Sequence, residues 1–194
     1  IGRVRHLIDS AREEGINVTV DAQAESWDTV RPLYRGSIPP GYHADGVDKL
    51  LERLRDPEMR AKIKDNMKTK NPPDLGFTSH AGKLLLIRAG KGDCLRIYPP
   101  FNGHLKHEEY EGKTLGEIAA TKGKDLYDTL FDILLEEEGN IFVNRKQIDW
   151  DLKMSEYTWP TVMVGTDGGG NPKAGSLATT RVRPTSFGGF PEAL

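Results

Sequence analysis

Ile16-Asn17-Val18-Thr19-Val20-Asp21 is a short β-branched run that ends on an acid, and its surroundings decide the fold class. Before it, Val4, Leu7, Ile8 and Ala11 follow the i, i+3, i+4, i+7 spacing of an amphipathic helix, with Arg3, Arg5, Asp9, Arg12 and Glu13 outside. Gly15 supplies the stop, because helices commonly end on a residue of positive φ, which glycine adopts without steric cost. Helix, glycine turn, strand, then a polar residue at the strand's C-terminal edge is the grammar of an α/β fold, in which such residues line the site. The pattern recurs late in the chain, where Thr161-Val162-Met163-Val164-Gly165 reads as a buried strand running into Thr166-Asp167-Gly168-Gly169-Gly170.

The residues between these two strands read differently. Ser26 to Gly46 shows little periodicity, and Ile38-Pro39-Pro40-Gly41 marks a turn. Val47, Leu50, Leu51 and Leu54 predict a short helix. Asp56-Pro57-Glu58 then opens another, with Asp as cap, Pro at the first helical position and Met59, Ile63 and Met67 on the apolar side. Lys68 to Pro73 reads as a polar linker. Lys83–Arg88 and Leu95–Tyr98 predict two strands of a hairpin turning at Ala89–Asp93. Thr114-Leu115-Gly116-Glu117 has capping-box spacing and opens a helix through Thr121; after Gly123, Leu126, Leu130, Ile133 and Leu134 carry a longer one that Gly139-Asn140 ends. Ile141-Phe142-Val143 predicts a strand, Ile148, Leu152 and Met154 a helix, and 171–194 a loop. Standard βα connections are only a few residues long, so 27–140 reads as an inserted α+β domain between 1–26 and 141–194.

Composition bounds the function. The chain has 194 residues, 27 Lys+Arg against 29 Asp+Glu, a net charge of −2 and 37% hydrophobic residues. That is ample for one core but short of the about 250 residues of a complete (β/α)8 barrel. Balanced charge excludes a strongly basic nucleic-acid binder and an acidic tail protein. A single cysteine, Cys94, excludes an internal disulfide framework and a cysteine-rich zinc site. No apolar run approaches the roughly 18 residues of a membrane span, and no charged segment followed by an apolar stretch succeeds Ile1. A soluble cytoplasmic protein without nucleic-acid or membrane partners is the expectation.

Asp167 is the leading site residue: an acid after a buried strand with three glycines behind it can bind a metal or act as a general base. Asp-Gly is also a common turn, and that reading stays open beside it. Asp21 holds the equivalent place after the first strand. His6, His43, His80, His104 and His107 form no HxH and no HExxH pattern. His104 and His107 are read as solvated loop histidines, since zinc takes three or four protein ligands and none lies near. Cys94 reads as a small buried residue without a base. Gly90-x-Gly92 lacks the remainder of a dinucleotide fingerprint. Arg60, Lys62, Lys64, Lys68 and Lys70 make a basic run that Asp65 interrupts, and it reads as a solvated helix face.

Several pieces together resemble the N-acyl-D-amino-acid deacylase (D-aminoacylase) branch of the amidohydrolase superfamily. They are IDSAREEGINVTVD (8–21), IPPGYHADGVDKLLERLRDPEMRAKI (38–63), EGKTLGEIAATKGKDLYDTLFDILLEEEGNI (111–141), VMVGTDGG (162–169) and RPTSFGGFPEAL (183–194). The resemblance implies a partial (β/α)8 amidohydrolase barrel segment with an inserted small α+β lid domain. Ile16–Asp21 then matches the seventh strand, Val162–Asp167 the eighth, and Asp167 the family's catalytic general base. It also implies zinc in the complete enzyme, whose bound water attacks the amide of an N-acyl-D-amino acid or related amide. The family's metal ligands lie upstream of this position and have no counterpart in the chain, so a missing N-terminal segment or an oligomer is expected, and an inactive isolated chain. The family's Tyr-Pro-Tyr is replaced by Gln23-Ala24-Glu25, and its carboxylate-binding His-Pro-Arg by Arg183-Pro184-Thr185, which leaves the substrate-binding residues unassigned. The alternative is a non-catalytic binding or interaction module derived from the same domain.

Overall fold

The computed structural model describes residues 2–23, 30–69, 82–100, 103–145, 155 and 157–165. The chain forms two units, Ile1–Ser26 with Ile148–Leu194, and Trp27–Gln147.

In the first unit, α1 (Gly2–Glu13) ends as expected near Gly15, which has φ +85°. The strand that follows is displaced from its expected place. Residues 16–19 are irregular, and β1 is Val20–Gln23, so Asp21 lies within the strand rather than past its edge. β1 pairs parallel with β5 (Val162–Gly165), Val20 opposite Val162 and Asp21 opposite Met163. The pairing explains the shift: backbone hydrogen bonding to Thr161 begins at Val20, whose N–H donates to the Thr161 carbonyl at 3.2 Å. α1 is tied to the approach to β5, where Trp159 Nε1 donates to Asp9 Oδ1 at 3.0 Å and the Arg5 guanidinium lies 5.4 Å from the Trp159 ring centre. Two expectations of burial fail here. Val4 and Leu7 on the apolar side of α1 are 58% and 60% exposed, and Met163 in β5 is 57% exposed. The helix at Ile148–Met154 and the loop 171–194 fall outside the described residues.

The second unit is helical around a small antiparallel sheet. Its order is β2 (Arg31–Pro32), α2 (Val47–Arg55), α3 (Pro57–Thr69), α4 (Gly82–Arg88), β3 (Leu95–Tyr98), α5 (Leu115–Lys122), α6 (Leu126–Glu136) and β4 (Phe142–Arg145). The sheet runs β2-β4-β3, with Leu95 opposite Arg145 and Tyr98 opposite Phe142. Two sequence expectations are corrected. Lys83–Arg88 is a helix, and β3 therefore pairs with β4 and not with a preceding hairpin strand. A short continuous apolar run has no period to separate strand from helix, and Leu-Leu-Leu-Ile favours helix once Leu84 and Ile87, three apart, are both buried. The unit runs to Gln147, and β4 is the central strand of its sheet. Among the described residues the sheets are these two, and no barrel is seen.

The helices follow their caps. The Asp56 carboxylate accepts from the N–H groups of Glu58 (2.8 Å) and Met59 (3.1 Å). Thr114 and Glu117 form a reciprocal capping box, and Gly123 with φ +62° closes α5. Leu50, Leu54, Ile63, Leu130, Phe131 and Val143 meet in one buried cluster. Gly92 is set by packing: a Cβ there would stand 2.8 Å from Gly116 N and 2.6 Å from Leu126 Cδ2. No helix among the described residues is long and apolar enough to cross a membrane.

Candidate functional site

The two acids singled out in the sequence fall differently. Asp167, with 166–170, lies outside the described residues. Asp21 is exposed on β1. Strand alternation puts it on one face of the parallel pair with Met163 and Gly165, while Val20, Ala22, Val162 and Val164 share the other. Its carboxylate lies across Gly165, at the C-terminal end of β5: a Cβ on that glycine would be 2.7 Å from Asp21 Oδ2 and 3.5 Å from Asp21 Cγ. The absent side chain at Gly165 is what gives the carboxylate this position.

Only the far end of an exposed side chain occupies that space, so Gly165→Ala is expected to change stability by no more than about 1 kcal/mol. It should nonetheless move the carboxylate, read as a changed Asp21 carboxyl carbon resonance. An unmoved resonance would contradict the contact.

In the second unit the basic run is engaged. Arg60 contacts Asp132 at 2.7 Å and Asp128 at 3.4 Å, and Lys64 contacts Asp125 at 2.6 Å and Asp128 at 2.5 Å. α3 is therefore latched to the acidic side of α6, which corrects the reading of a merely solvated face. Burial alone would raise the Asp132 carboxyl, but hydrogen bonds from Lys124 and Arg60 hold it below the ordinary carboxylate range. Burial would likewise lower Lys64, and its bonds to Asp125 and Asp128 raise it. Lys62 is exposed, Lys68 lies over the Tyr127 ring at 5.3 Å, and Lys70 is outside the described residues.

A shallow cleft of about 560 Å³ opens beside Asp93, Glu117, Lys124 and Asp125. Its charged groups are already committed: Asp93 accepts from the Thr114 hydroxyl at 3.4 Å, Glu117 caps α5, Asp125 accepts from the N–H groups of Tyr127 and Asp128, and Lys124 contacts Asp132 at 2.5 Å. Chemistry there would have to displace structural bonds.

Among the described residues the histidines do not converge. His6 and His104 are exposed and His80 is outside the described residues. His43 is half-buried, edge-on to Tyr34 at 5.2 Å, with Nε2 buried and without a hydrogen-bond partner among the described residues; burial lowers its pKa. His107, read as solvated, is engaged instead, with Nδ1 2.9 Å from Glu137 Oε1. Cys94 is half-buried and free. Among the described residues no three His, Cys, Asp or Glu side chains are grouped to hold a metal. Glu137 went unremarked in the sequence, and its signal was there: Glu136-Glu137-Glu138 puts three acids at the C-terminal end of a helix, where the macrodipole disfavours them without partners.

No family model and no curated protein matches the chain. It is similar to the crystal structure of an N-acyl-D-glutamate deacylase from Bordetella bronchiseptica, complexed with zinc and a phosphonate mimic of the tetrahedral intermediate, with 20% identity and a TM-score of 0.45. The match covers 97% of this chain and 26% of that chain, so the chain spans about a quarter of that structure's length.

Proposed function

We propose that this chain is a segment of an amidohydrolase of the N-acyl-D-amino-acid deacylase type, with Asp167 as its general base and the unit 27–147 as a cover over the substrate. The observation that carries the reading is the parallel pair: β1 and β5 are in-register neighbours, and the whole second unit is the connection between them. Parallel strands require a crossover, and α/β enzymes gather their reacting groups past the C-terminal ends of such strands. At that end Asp21 lies over Gly165, and Asp167 follows Gly165 by two residues in sequence.

In this reading Asp167 takes a proton from the attacking water and delivers one to the leaving nitrogen, so that amide and water become a carboxylate and an amine. The described residues do not fit a zinc ion, since no three potential ligands converge, and no step is assigned through a metal. The zinc ligands of the complete enzyme would then lie outside the described residues of this chain.

The purified chain, given zinc and N-acyl-D-amino acids, is expected to bind no stoichiometric metal and to release no amine, whereas a complete protein containing it hydrolyses the D substrates. Stoichiometric zinc with hydrolysis by the isolated chain would overturn the segment reading. A complete protein that hydrolyses no N-acyl amide would favour the non-catalytic binding module.

A further inference from the structure

β5 has little of its own to hold it in place. It has four residues, none of them buried, and Met163 is 57% exposed. Among the described residues β1 is its one strand partner. Register is strongly specified where one face of a strand is buried and weakly where it is not. Yet the pairing is definite: Val20 stands opposite Val162, and the Asp21 carboxylate lies over Gly165, where a Cβ would stand 2.7 Å from Oδ2. A slip of one residue would bring a different residue beneath that carboxylate.

The anchor lies just before the strand. Trp159 is only 8% exposed, and its indole N–H donates to Asp9 Oδ1 at 3.0 Å. An indole N–H can only donate, so the direction of this bond is fixed by the chemistry of the pair. Arg5 steadies both partners, with its guanidinium 5.4 Å from the Trp159 ring centre and its Nε 3.8 Å from Asp9 Oδ2. The Trp159 carbonyl in turn accepts from Val162 N–H at 3.0 Å, and the Thr161 carbonyl accepts from Val20 N–H at 3.2 Å. One residue therefore grips α1 through its side chain and the first residue of β5 through its backbone.

We propose that Asp9 and Trp159 are positioning residues: their bond sets where β5 lies along β1, and with it the placing of the general base that follows Gly165 by two residues in sequence. The effect on turnover rests on Asp167 being that base, whereas the effect on register does not.

Two substitutions at one position separate the bond from simple stability. Asp9→Leu removes the acceptor at similar size, and Asp9→Asn keeps an oxygen to receive the indole N–H. In a complete protein containing this sequence, Asp9→Leu should lower kcat for N-acyl-D-amino-acid hydrolysis at least about tenfold with KM little changed, because a misplaced reacting group costs rate more than binding. Asp9→Asn should restore most of that loss. Hydrogen exchange reads the register directly: the Val20 amide and the Trp159 indole N–H should exchange at least about tenfold faster in Asp9→Leu than in the parent or Asp9→Asn, with α6 amides unchanged. Trp159→Phe, which keeps a buried ring and loses the donor, takes the place of Asp9→Leu if that variant does not fold. Equal loss of kcat in the Leu and Asn variants, or parental kcat or parental Val20 protection in a folded Asp9→Leu, would overturn the proposal. If the unsubstituted complete protein hydrolyses no N-acyl amide, the deacylase reading falls, and the Val20 amide alone decides whether the anchor sets the register.

Discussion

Phe131→Ala is expected to lower the stability of the helical unit by about 3–5 kcal/mol, the usual cost of emptying a buried aromatic site. Phe131 is fully buried on α6, in the cluster that joins that helix to α2, α3 and the sheet. Its neighbours leave little room for collapse, since Leu130, Ile133 and Leu134 are fully buried beside it and the Arg60 guanidinium stands 5.2 Å from its ring centre. Arg60 is fixed in turn by Asp132 at 2.7 Å, so it is not free to fill the cavity. Against a typical domain stability of about 5–15 kcal/mol, the loss should appear as a large fall in the urea midpoint of this unit. A fall worth less than about 1 kcal/mol would mean that α6 is not the packed centre of the unit.

Much of the second unit was legible because its signals are local. Asp56-Pro57, Thr114–Glu117 and Gly123 act within one turn of themselves, and the structure places each as a cap or stop. Val47, Leu50, Leu51 and Leu54 carry a helical period long enough to exclude a strand. What was not legible depends on partners distant in sequence. Lys83–Arg88 has no period of its own, and its helical state shows only once Leu84, Leu86 and Ile87 are placed in the core. β1 begins at Val20 and not Ile16 because its hydrogen bonds go to a strand late in the chain. The basic run read as solvated because the aspartates that bind it lie on another helix.

The candidate site was legible in its chemistry and less so in its geometry. An acid at the end of each β-branched run could be picked out, and the carboxylate of one of them, Asp21, reaches Gly165, the last residue of β5. What the sequence did not disclose is that Asp21 sits inside β1 and rests over Gly165, a contact made possible by a missing side chain on the partner strand. The contacts of Glu137 were hidden for the same reason, since the backbone N–H groups of Lys106 and His107 that it accepts from lie about 30 residues away along the chain.

The strongest functional effect is expected at Asp167. Replacing it with asparagine keeps the size and removes the basic oxygen that would accept the proton of water, a role usually worth about 10²–10⁴ in rate. Asparagine retains hydrogen-bonding capacity, so substrate binding should survive and the loss should fall on kcat with KM little changed. The decisive measurement is therefore kcat and KM for N-acyl-D-amino-acid hydrolysis by a zinc-loaded complete protein containing this sequence, with and without Asp167→Asn. The parent is expected to hydrolyse the substrate and the variant to lose at least about a hundredfold in kcat. Equal turnover by the two would contradict the assignment of Asp167 as the general base.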